Sequence, residues 1–116
     1  MKRFSDKRRR ENAAAKPFRD AYRAEFPWCQ VCETRKGRDV HEIARGPARR
    51  AAYQERCCWL HVCPLCHLNL GDYAEFPLSR QLWFKKQVDP ANYNLERFLV
   101  IYGKRDIEQA DVDRWD

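Results

Sequence analysis

Apolar positions along this chain repeat with two different periods. Phe18, Tyr22 and Phe26 recur every four residues, which marks one face of a helix. Pro17 suits the first position of that helix, and the Ala-rich stretch 12–16 ahead of it is helix-prone. Pro27 ends the pattern. Residues 39–43 are short and partly β-branched, so they predict a strand, broken at Gly46-Pro47. Residues 48–56 read as a helical turn or a long loop. Residues 58–63 predict the second strand of a hairpin. Pro64 opens a helix to about Leu70, with Gly71 as a good C′ cap.

Two further helices follow. Residues 76–88 carry Leu78, Leu82 and Trp83 on one side, with Pro77 near the start. Residues 94–102 place Leu95, Phe98, Leu99 and Tyr102 on a core face, and Gly103 stops them. Residues 106–116 show no period. Trp28, Trp59 and Trp83 are expected in the core. The predicted class is α+β: a small ββα core flanked by additional helices. The expected organisation is a basic N-terminal arm at 1–16, one domain at 17–105 and an acidic tail at 106–116.

Cysteine spacing changes the picture. Cys29 and Cys32 flank two residues, and so do Cys63 and Cys66. A tight turn lets such a pair present both sulfurs to one ion, and two pairs complete a tetrahedral zinc site with no open position. A structural Zn²⁺ on Cys29, Cys32, Cys63 and Cys66 is therefore expected. Cys57 and Cys58 are expected as free thiols. His67 follows the closed site at once, and His41 sits on the first predicted strand.

Composition narrows the class. The 116 residues have a mean hydropathy of −0.85 and no apolar run near the roughly 20 residues of a membrane span. The basic N-terminus has no apolar segment behind it, unlike a secretory signal. A reducing, cytoplasmic compartment is expected, where six cysteines point to metal rather than disulfides. The net charge of +6 is uneven: residues 1–25 hold nine Lys or Arg against four Asp or Glu, and residues 106–116 hold one against five. A basic body favours a polyanionic partner.

Knuckle, strand with Val40-His41-Glu42-Ile43, loop, strand, then Cys63-Pro64-Leu65-Cys66-His67 opening a helix: over residues 28–72 this order resembles the HNH nuclease family, and looks most like its small phage-encoded members. The resemblance implies a ββα-metal fold on a four-cysteine zinc scaffold. It also implies a DNA endonuclease with Mg²⁺ or another divalent metal in the host cytoplasm. His41 matches the family's first metal ligand and His67 the second. Glu42 stands where the family has its base histidine, and is expected as base or third ligand. The asparagine the family carries near position 58 is missing.

Arg45, Arg49, Arg50 and Arg56, in or beside the hairpin connection, are expected to contact DNA phosphates, as are Arg8, Arg9 and Arg10 in the arm. The alternative is a catalytically inactive HNH-like zinc module that binds nucleic acid or a protein partner.

Overall fold

The computed structural model describes residues 6–44, 51–104 and 106–116. Helix α1 spans Asp6–Glu25. Strands β1 (Asp39–Glu42) and β2 (Trp59–Val62) form an antiparallel pair, with His41 opposite Leu60 and Glu42 opposite Trp59. A 3-10 turn, Arg56–Cys58, leads into β2. Helices α2 (Pro64–Leu70), α3 (Leu78–Val88), α4 (Leu95–Tyr102) and α5 (Gln109–Asp113) follow. The class is α+β.

The pleat of the hairpin sorts the molecule into two sides. Alternate residues of a strand point to opposite faces, and directly paired residues share one. Asp39, His41, Leu60 and Val62 therefore face one way, and Val40, Glu42, Trp59 and His61 the other. Contacts follow that division. His41 meets Gln81 of α3, whereas Glu42 meets Arg19 of α1. Both faces of the hairpin are covered, which is why all four residues of β2 are buried.

Helix α1 runs unbroken through Pro17 instead of starting there. An internal proline costs about 3 kcal/mol of helix stability. The alanines before it, and the burial of Ala15 and Tyr22 against the core, hold the two halves together. Residues 6–16, expected as an arm, are thus the first turns of this helix. Tyr22 is fully buried, but Phe18 is 53% exposed, so the four-residue spacing overstates the apolar face. Trp28, expected in the core, is 54% exposed and pairs by backbone with Lys36. Trp59 holds the centre and donates its Nε1–H to the Ala52 carbonyl at 2.9 Å.

Gly71 caps α2 without a left-handed turn. Its φ of −74° is right-handed, and its amide closes the helix by donating to the Leu68 carbonyl. Gly103 does take the left-handed conformation, at φ 81°. Gly37 answers a different need: a Cβ there would lie 2.6 Å from the His61 ring. That ring is buried and donates from Nδ1 to the Phe26 carbonyl.

The acidic segment folds back as α5. Glu108 and Asp111 cap it reciprocally, Val112 is buried, and Trp115 donates to the Ser79 hydroxyl. Among the described residues, no helix is long and apolar enough to cross a membrane.

Candidate functional site

Four thiols converge where the knuckle meets the start of α2. The Sγ atoms of Cys29, Cys32, Cys63 and Cys66 lie within 4.8 Å of one another. Cys32 and Cys63 are 3.9 Å apart. A tetrahedron with Zn–S bonds of about 2.3 Å has edges of about 3.8 Å, so these thiols fit the ion. Local geometry prepares them. Cys63 ends β2 as the cap of α2, and the Cys66 amide donates to its sulfur at 3.4 Å. On the other side, Glu33 takes a left-handed φ of 58° to close the knuckle, and its amide donates to the Cys29 carbonyl.

The surroundings favour thiolates. Hydrogen bonds from the Thr34 side chain, then from backbone amides, bring the Cys32 pKa down to about 5. The Arg35 guanidinium reaches Cys63 and Cys32. It would balance part of the negative charge that four thiolates leave on a bound zinc. All six cysteines are free, and Cys57 and Cys58 are buried core thiols.

Immediately after Cys66, His67 meets His41. Their rings stand edge to face with centroids 5.3 Å apart. Each ring is oriented by a partner. Gln81 is fully buried, and its amide nitrogen donates to the carbonyls of Leu70 and Phe76, at 3.1 and 2.9 Å. Those two bonds fix which end of the amide is oxygen. Oε1 therefore accepts from His41 Nε2–H at 2.7 Å, so the neutral ring carries its lone pair on Nδ1. His67 donates from Nδ1 to Asp39 Oδ2 at 3.3 Å, and keeps Nε2 as its acceptor. Burial raises the Asp39 pKa, but the Arg38 and His67 hydrogen bonds outweigh it and leave the carboxyl below its usual range. Carboxylate or amide partners behind imidazoles are the arrangement that orients metal-binding histidines.

Glu42 does not share that side. Its Oε1 accepts from Arg19 Nη1 at 3.2 Å, and Arg19 Nη2 also donates to the Val40 carbonyl. The same guanidinium lies 5.5 Å from the Trp59 ring and 5.7 Å from the Tyr53 ring. Arg56 is engaged locally, paired with Glu25 and packed over Tyr22. Arg8, Arg9 and Arg10 stand on the early turns of α1. Arg45, Arg49 and Arg50 lie outside the described residues.

No family model, curated protein or solved structure matches this chain.

Sequence reading missed three participants: Asp39, Gln81 and Arg19. Asp39 was accessible, because it is two residues before His41 and so on its face. Gln81 carried a weaker signal, a polar residue one turn after Leu78 on the core side of its helix. Arg19 carried none, since its partners come from distant segments.

Proposed function

We propose that this chain is an HNH-type, metal-dependent endonuclease module acting on DNA phosphodiesters, built on a four-cysteine structural zinc. The observation that carries the reading is the His41–His67 pair, with each imidazole oriented from behind by Gln81 or Asp39. Two imidazoles held from behind in this way suit a divalent cation and leave most of its positions open.

His41 Nδ1 and His67 Nε2 would hold that cation. A divalent cation there would stabilise charge developing on the phosphate and on the leaving oxygen. Asp39 holds the His67 ring in its ligand tautomer, and Gln81 does the same for His41. Glu42 is the candidate proton acceptor, and Arg19 donates to its Oε1.

That ion pair, on the opposite face of β1 from the histidines, favours the second reading: an inactive zinc module that binds nucleic acid. Plasmid nicking separates the two. With Mg²⁺, Mn²⁺ or Ni²⁺, the wild type should nick, and His41→Ala should slow nicking by at least about 100-fold. A wild type that binds DNA and never nicks it with any of these ions selects the inactive module. Equal nicking by His41→Ala overturns the proposed site.

A further inference from the structure

Part of the positive charge of α1 lies along one line. Lys16, Arg19 and Arg23 follow one another at helical spacing, with Asn12 one turn earlier and Arg8 one turn before that. Asn12, Lys16, Arg19 and Arg23 line a groove of about 360 Å³ whose other side is formed by Glu42 and Tyr53. Ala15 forms its floor, so the concavity persists between the longer side chains. Nothing in the sequence reading assigned Lys16, Arg19 or Arg23 a role.

Charge is in excess there. Arg19 is the clamp between α1 and the hairpin, already paired with Glu42. Lys16 and Arg23 share a single carboxylate, Asp20, at 2.6 and 2.8 Å. One carboxylate cannot neutralise two cations. In addition, the Nε of Arg23 is buried without a hydrogen-bond partner. A small swing of this half-buried guanidinium toward a phosphate oxygen would satisfy it.

We infer that the groove between α1 and β1 is a phosphodiester-backbone site, with Lys16 and Arg23 as its phosphate contacts. The inference rests on the nucleic-acid reading above. The ridge length favours an extended polyanion over a mononucleotide. From Asn12 to Arg23, a helix rises about 17 Å, or about five base-pair steps at about 3.4 Å. The groove lies on the face of the hairpin away from the histidine pair. It would anchor the backbone beside the reacting site and not within it.

Anisotropy of a labelled duplex longer than the ridge tests this, titrated from about 50 to about 200 mM salt. Lys16→Gln/Arg23→Gln should flatten the slope of log K against log salt by about 2 and weaken low-salt binding roughly tenfold. The charge-matched control Lys36→Gln/Lys104→Gln should leave the slope unchanged. Lys16→Glu, at a side chain 73% exposed, is a second variant free of packing effects and should weaken binding further than Lys16→Gln.

A wild-type slope in the double variant overturns the groove while leaving the nuclease reading intact, which plasmid nicking reports separately. Displacement of the duplex by orthophosphate, beyond that by chloride of equal ionic strength, overturns the extended-backbone assignment in favour of a small-anion site. A wild type that binds no duplex overturns the groove and the nucleic-acid reading together.

Discussion

Gln81 shows how much one buried side chain can decide. It is fully buried, and its three hydrogen bonds tie α3 to the end of α2, to the Phe76 carbonyl and to His41. Gln81→Leu keeps the volume but orphans two carbonyls and an imidazole N–H. Each buried polar group left unpaired costs about 1–3 kcal/mol, with partial relief from relaxation. The expected loss is roughly 2–4 kcal/mol in urea denaturation. The freed His41 ring should also show a mixed tautomer in ¹⁵N shifts. A variant with unchanged stability and an unchanged His41 tautomer would show that Gln81 does not orient the ring.

At the scale of elements, the knuckle, the hairpin and α2 are each too short to persist alone. A two-stranded hairpin is marginal in water, and α2 has only two turns. The four thiols join the segments 29–32 and 63–66, which belong to the knuckle and the start of α2 and flank the hairpin. Metal binding is then folding energy, because the site does not exist in the unfolded chain. Elemental analysis should find one zinc per chain. Chelation, or Cys63→Ser, should abolish the cooperative melting transition of the holo protein. A metal-free protein that melts as the holo form does would remove zinc from this account.

Across the whole molecule, the tie is a buried polar cluster. Lys85 of α3 donates to Asp89 at 2.6 Å and to the Tyr22 hydroxyl at 2.7 Å, and all three side chains are buried. Tyr22 in turn donates to Asp89 at 2.8 Å, and its hydroxyl lies 3.1 Å from Gln30 Oε1 in the knuckle. The cluster thus connects α1, the knuckle and α3. Burial lowers the Lys85 pKa to about 8, although Asp89 pulls the other way, against an ordinary value of 10.5. Between those values the unfolded chain binds more protons, so raising the pH stabilises the fold. Burial also raises Tyr22 above its usual 10, so above that pH the unfolded chain loses its proton first and the trend reverses. Lys85 should therefore contribute a rise in stability from about pH 8 to about pH 10, of up to about 2–3 kcal/mol. Cys58 opposes it above about pH 9, because its bond to Cys57 and its burial hold its proton while the unfolded chain loses it.

Denaturation midpoints at saturating zinc measure this, referred to Lys85→Met/Asp89→Asn, in which the rise should vanish. Lys85→Met alone leaves the buried Asp89 carboxylate without its counter-ion, and should cost about 3–5 kcal/mol. An equal pH slope in wild type and double variant would show that Lys85 does not titrate in this range.

Local chemistry determined what the sequence could show unaided. Two Cys-x-x-Cys turns, β-branched runs, Pro64 opening a helix and Gly103 stopping another are decided within a few residues. The thiol cluster, the hairpin and helices α2 to α4 were legible for that reason. Other features depend on partners far along the chain. The continuation of α1 through Pro17 depends on a core that only packing assembles. The same is true of the docking of α5, the exposure of Trp28, and the burial of Lys85 and Gln81. The two catalytic candidates illustrate the division. His41 and Glu42 are adjacent in sequence, and spacing alone groups them. The pleat of β1 sends one toward Gln81 and His67 and the other toward Arg19, because neighbouring side chains on a strand leave from opposite faces.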